Sequence, residues 1–197
     1  LWCRYADDGI CHCKTREQAE ALLAELEQRF KECKLEIHPD KTKIIYCKVN
    51  SRNVSYQGNT SFVFLGYEFR TRAAQSSKTG KLFTSFLPAI SPKAEKSITE
   101  KIKELNVKSR SDLSLIQIAE WLNPMIRGWI NYYGKYTKTA MNDVLRRINT
   151  TLIRWSMKKF KKLRGRKTYA TTVMLDQMKI SPNLFAHWKV GVKSVFI

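Results

Sequence analysis

The chain has 197 residues, 43% of them hydrophobic and 27% charged, a balance that excludes a disordered tail and suits one sizeable domain or two small ones. Its formal net charge is +19, which points to a polyanionic partner because neutralising phosphates releases counterions. No run approaches the ~18 apolar residues of a membrane span, and no signal peptide, lipidation motif or basic amphipathic terminus favours a membrane surface.

The charge is uneven. Residues 1–90 carry 14 Lys/Arg against 10 Asp/Glu, whereas residues 91–197 carry 22 against 7. The five cysteines include no C-x-x-C pair, and Cys11-His12-Cys13 lacks a second ligand pair at zinc-finger spacing. A reducing, cytoplasmic setting is expected. The first residue, Leu1, lies inside an apparent strand, so the chain is expected to be a fragment or a processed product.

In chain order, Leu1-Trp2-Cys3 and Gly9-Ile10-Cys11 flank Tyr5-Ala6-Asp7-Asp8, which reads as strand, tight turn, strand with both aspartates at the tip. Neighbouring carboxylates repel unless a cation lies between them, and oxygen-only ligands suit Mg²⁺. An ordinary polar turn is the alternative, since Asp-Gly is a hairpin signal. Thr15 and Gln18 then fit a capping box, and Ala19, Leu22, Leu23, Leu26 and Phe30 space helically over about 16–33.

Leu35-Glu36-Ile37 alternates as a short strand, His38-Pro39-Asp40 turns, and Thr42 to Cys47 reads as another strand. Residues 50–59 form a polar loop. Phe62 to Phe69 reads as a buried hairpin, Ser76 to Lys81 as a turn, and Leu82 to Leu87 as a last strand.

Past Pro88 the pattern becomes helical. Ser91-Pro92 is a helix start, and Ala94, Ile98, Ile102 and Leu105 follow at helical spacing. Leu115, Ala119, Leu122, Ile126, Trp129 and Tyr133 do the same, with a kink or break expected at Pro124. Met141, Leu145, Ile148, Leu152 and Trp155 mark a third helix ending near Leu163-Arg164-Gly165, and Tyr169 to Met178 a weaker fourth. The expected fold is α+β: a mixed piece over 1–90 followed by an all-α bundle over 91–197.

Residues 135–167 hold 12 Lys/Arg, with Asp143 the sole acid. Arg146, Arg147, Arg154, Lys158, Lys161 and Lys162 recur mostly at spacings of three, four, seven or eight, so many share one helix side. A solvated face is the bland reading. Like-charged neighbours destabilise a helix, so a groove gripping RNA backbone explains the run better. Trp129, Tyr132 and Tyr133 offer rings for stacking, Tyr132 being the better candidate because the other two lie on the apolar stripe.

Tyr5-Ala6-Asp7-Asp8, then His38-Pro39-Asp40-Lys41-Thr42-Lys43, then Phe64-Leu65-Gly66-Tyr67 resemble, in that order, the second half of a reverse transcriptase palm. Ile126-Arg127-Gly128-Trp129-Ile130-Asn131-Tyr132-Tyr133 and Leu184-Phe185-Ala186-His187-Trp188 resemble the thumb, or domain X, of bacterial group II intron-encoded reverse transcriptase/maturases. The resemblance implies an RNA-directed DNA polymerase using two metal ions, with Asp7 and Asp8 as metal-binding catalytic residues and Mg²⁺ as cofactor.

It further implies that Tyr5 and Ala6 border primer terminus and dNTP, and that Lys41 assists the departing pyrophosphate. A solvated lysine is the alternative for Lys41. Leu65, Gly66 and Tyr67 would form the primer grip, with core packing the alternative for the flanking aromatics. Arg127, Tyr132, Arg146, Arg147, Arg154, Lys158, Lys161 and Lys162 would bind RNA, making intron RNA and template-primer the partners.

A further palm aspartate and the fingers would precede residue 1. The chain alone is therefore expected not to polymerise. A non-catalytic RNA-binding maturase module, or the remnant of a mobile element, is the competing reading.

Overall fold

The computed structural model describes residues 1–48, 57–76 and 78–194. Most of the polar loop expected over 50–59 lies outside them, as does Ser77 of the turn beginning at Ser76. The chain divides into two compact units, Leu1–Phe64 with Phe69–Phe86 and Leu65–Glu68 with Leu87–Ile197.

The first unit opens with an antiparallel hairpin, β1 (Trp2–Tyr5) and β2 (Asp8–Cys11), followed by α1 (Arg16–Glu32). Thr15 caps α1 by accepting from the Gln18 amide at 3.2 Å. The Gln18 side chain reaches back to the Lys14 amide at 2.9 Å, one residue beyond the reciprocal bond of a full capping box. Ala19, Leu22, Leu23 and Leu26 share a face as the spacing requires, yet α1 buries no residue.

The alternating segments 35–37 and 42–47 do not become strands. Alternation makes a strand only where a neighbouring strand supplies a ladder. Here the pairing is an isolated parallel bridge between Ile45 and Asn59. The intervening turn does form, with the Thr42 amide donating to the His38 carbonyl at 3.0 Å.

A three-stranded sheet in the order β3 (Ser61–Phe64), β4 (Tyr67–Gln75), β5 (Leu82–Ile90) contributes residues to both units. β5 runs three residues further than its apolar pattern suggested, through Pro88. An edge strand tolerates proline because its outward N–H has no ladder partner to lose. In the first unit Phe62 stacks on Phe69 at 4.7 Å and lies 6.0 Å from Phe86. These rings are half-buried, and over Phe62 to Phe69 burial is complete at Tyr67 alone, so the hairpin is less buried than its composition implied. No described residue of the first unit is fully buried.

The buried core belongs to the second unit. α2 (Pro92–Glu104) starts as expected, with Pro92 in its first turn and the Ser91 hydroxyl accepting from the Ala94 amide at 3.2 Å. α3 (Leu115–Tyr133) begins with a full capping box between Ser114 and Gln117. It continues through Pro124 without a break, because buried Leu122, Asn123 and Ile126 hold both halves against the core. A proline costs one helical hydrogen bond locally, and packing on both sides outweighs it here.

α4 (Asn142–Lys159) is the central helix, burying Val144, Leu145, Ile148, Leu152, Ile153 and Trp155. A short 3-10 turn over Lys161–Leu163 leads to α5 (Lys167–Ile180), and α6 (Ala186–Lys189) is a last single turn absent from the sequence expectation. Among the described residues no helix is long and apolar enough to cross a membrane.

Candidate carboxylate hairpin and nucleic-acid interface

In the β1–β2 hairpin Tyr5 pairs with Asp8, leaving Ala6 and Asp7 as a two-residue turn. Ala6 has a φ of 47°, the left-handed region that a Cβ disfavours. The turn is braced locally: Arg4 Nε donates to the Ala6 carbonyl at 2.8 Å. The Trp2 indole lies over Gly9, where a Cβ would come within 2.9 Å of the ring. Asp7 therefore sits in the turn and Asp8 opens β2, and both are exposed.

Two exposed, hard carboxylates are the donor set that a Mg²⁺ ion accepts when substrate phosphates complete its shell. The residues fit that ion, but as an incomplete set. Among the described residues no three or more His, Cys, Asp or Glu are grouped to hold a metal. Lys41 is exposed in the His38–Thr42 turn, and among the described residues no hydrogen bond or ion pair ties it to Asp7 or Asp8. Tyr5 is 62% exposed at the end of β1.

In the second unit, Leu65 and Gly66 form the turn between β3 and β4 with φ values of 49° and 77°. Two successive positive φ angles define a type I′ hairpin turn. Glycine adopts the second freely, whereas Leu65 is strained. The C-terminal end of α3 clamps this turn. Tyr132 Oη donates to the Leu65 carbonyl at 2.9 Å, Tyr67 Oη donates to the Tyr132 carbonyl, and the Ser91 amide donates to the Gly66 carbonyl at 2.9 Å.

The Tyr67 ring lies 5.4 to 5.6 Å from Tyr132, Tyr133 and Tyr136. Burial, then the neighbouring Tyr132, Tyr136 and Tyr133, pushes the Tyr67 phenol above its ordinary range, so it stays a donor at neutral pH. The close approach at Gly66 is made by a protein side chain, since a Cβ there would sit 3.0 Å from Tyr133 Oη. Gly66→Ala meets both the positive φ and that contact, and should cost about 2 kcal/mol of stability. Thermal unfolding checks this, and a variant as stable as the parent would show that the turn relaxes freely.

The expected RNA-binding cations, and Lys159 beside them, differ in what their head groups hold. Arg146 donates to Asp143 at 3.1 Å and to Ser194 Oγ at 2.8 Å, and Lys158 reaches Ser109 Oγ at 3.3 Å. Lys159 donates to the Ser111 and Leu113 carbonyls at 2.9 and 2.8 Å. Arg127, Arg147, Arg154, Lys158, Lys161 and Lys162 are exposed. Arg147, Arg154 and Lys158 stand seven and four residues apart on the face of α4 opposite its buried stripe. Lys161 and Lys162 lie beyond the end of α4, so they do not continue that face. Tyr132 keeps 48% of its surface exposed although its hydroxyl is tied to the turn.

Sequence reasoning missed the polar latch around α6. Buried Asn123 donates to the Leu184 carbonyl at 2.9 Å and accepts from the Ala186 amide at 2.8 Å. Buried Asn149 accepts from Trp188 Nε1 at 2.8 Å and from His187 Nε2 at 2.7 Å. The signal was a polar residue at a core position: Asn149 stands four residues from both Leu145 and Ile153 on the buried stripe.

An exposed carboxylate pair on a hairpin, joined in one chain to a cation-rich helical bundle, is the chemistry of a protein that handles nucleic acid. Residues 1–69 match the family described as Reverse transcriptase (RNA-dependent DNA polymerase), and residues 95–172 match the Group II intron, maturase-specific domain. The chain belongs to the group II intron reverse transcriptase/maturases, a family whose polymerases use divalent metal. No individual curated protein matches it.

Proposed function

We propose that this chain binds group II intron RNA and template-primer through its helical part, 91–197, as a thumb/domain X. In this reading residues 1–90 supply part of the polymerase palm. The α4 face bearing Arg147, Arg154 and Lys158 carries the reading, because it is exposed and cationic on a helix whose other side is core. Asp7 and Asp8 would hold Mg²⁺, which supplies charge for the nucleophile and leaving group of nucleotidyl transfer. Tyr5 and Ala6 would border primer and dNTP, Lys41 would face the departing pyrophosphate, and Leu65, Gly66 and Tyr67 would steady the primer. The protein would work in the cytoplasm, away from membranes.

With two carboxylates and no third grouped ligand among the described residues, the chain supplied alone should bind RNA yet not extend a primer. Fluorescence anisotropy against salt and a primer-extension assay with Mg²⁺ test the two halves. Affinity should fall steeply with salt, and Asp7→Ala should leave it within about twofold, since neither aspartate is a phosphate contact. In a palm that has its third carboxylate, the same change should lower synthesis by more than roughly a hundredfold. Robust extension by the chain alone would sink the incomplete-site reading. Loss of RNA binding in Asp7→Ala would make the aspartates structural.

A further inference from the structure

We propose that the corner between α4 and α5 is a separate RNA contact that takes unpaired nucleotides, with phosphates on its cations and a base on the Tyr169 ring. This rests on the reading of the helical part as RNA-binding.

The corner is Phe160 to Tyr169, and it carries Lys161, Lys162, Arg164, Arg166 and Lys167, all exposed. Among the described residues none of the five has a hydrogen-bonded or ion-paired side-chain partner. The sequence places no Asp or Glu between Asp143 and Asp176 to offset them. That distinguishes them from Arg146, Lys158 and Lys159, whose head groups already hold Asp143, Ser109 and two backbone carbonyls. A surface built for solubility intersperses signs, and crowded like charges disfavour the fold that holds them.

The corner is held in one shape. Leu163 is 5% exposed and anchors it in the core. The Leu163 amide donates to the Phe160 carbonyl at 3.0 Å, the Arg166 amide to the Leu163 carbonyl at 3.1 Å, and the Ala170 amide to the Arg166 carbonyl at 2.9 Å. Gly165 turns the chain with a φ of 75°, and a Cβ there would meet nothing within 4 Å. Cations on a fixed turn lose less freedom on binding phosphate than cations on a loose loop.

Tyr169 makes the site more than electrostatic. It is 53% exposed, lies one helical turn beyond Arg166, and among the described residues its ring packs on no other ring. An exposed aromatic within a cationic surface is what an unpaired base stacks on, while a duplex keeps its base faces covered.

The test uses the full chain with two fluorescent probes, an unstructured single-stranded RNA and a blunt RNA duplex. Tyr169→Ala should weaken single-strand binding fivefold or more, leave duplex binding within twofold, and be rescued by Tyr169→Phe. The combined Arg164→Gln, Arg166→Gln, Lys167→Gln variant should weaken both and reduce the single-strand salt slope by about two. Equal effects of Tyr169→Ala on both probes, or none, would overturn the stacking role. An unchanged slope in the triple variant, with the parent still salt-sensitive, would overturn the surface and leave RNA binding standing. A salt-independent parent would sink the underlying reading instead.

Discussion

Asn149→Ala is expected to remove about 4 kcal/mol of stability from the helical unit, an exceptionally large effect for one residue. Asn149 is fully buried, and its amide makes four bonds at once. Nδ2 donates to the Val192 and Ser194 carbonyls at 3.2 and 2.8 Å. Oδ1 accepts from His187 Nε2 at 2.7 Å and from Trp188 Nε1 at 2.8 Å. Truncation takes their partner from two donors and two carbonyls, and each buried group left unsatisfied costs roughly 1–3 kcal/mol. Asn149→Asp should be no rescue, because it turns a donor toward two carbonyls into a charged acceptor. Urea unfolding followed by circular dichroism reads both. A loss under 1 kcal/mol for Asn149→Ala would mean that the 184–194 segment is held by apolar packing alone.

The four longer helices of the second unit, α2 to α5, were legible in the sequence because each one buries a stripe of its own. Ile98 with Ile102, and Leu145, Ile148 and Leu152, are spaced at helical intervals and end in the core. Local chemistry was equally readable at Ser91-Pro92, where cap and proline act within one turn. Features depending on partners distant in sequence were not readable. The 42–47 segment has the right alternation but gains one bridge instead of a ladder. α1 has a correct apolar stripe that among the described residues nothing buries. The clamp on Leu65 and Gly66 needs tyrosines more than sixty residues away, which no spacing rule connects. At the candidate site the carboxylate pair was visible as adjacent letters, and the backbone adds how it is presented, with Asp7 in a braced turn and Asp8 on a strand. The cations were visible as a run. Which of them hold hydroxyls and carbonyls within the fold depends on groups that only folding brings to them.

Acid should open the same latch. Burial pushes His187 down from 6.5 to about 3, so the ring is neutral in the fold. Because Asn149 Oδ1 accepts, Nε2 carries the proton and Nδ1 keeps a lone pair, buried without a hydrogen-bond partner among the described residues. Its ring neighbours Phe185 and Trp188 and its partner Asn149 carry no charge to welcome an imidazolium. The sign follows from where the proton binds first. Below 6.5 the unfolded chain takes up a proton that the fold refuses, so stability is complete above that pH and falls progressively toward about 3. The limiting slope is about 1.4 kcal/mol per pH unit, which makes the expected loss between pH 7 and pH 5 about 2 kcal/mol. His187→Gln retains a donor for Asn149 but cannot titrate in this range, so its stability should be lower at pH 7 yet nearly flat down to pH 5. Urea midpoints measured for both proteins across that interval decide the matter. A variant profile as steep as the parent's would move the acid sensitivity away from His187, and a flat parent would mean that Nδ1 finds a partner on protonation.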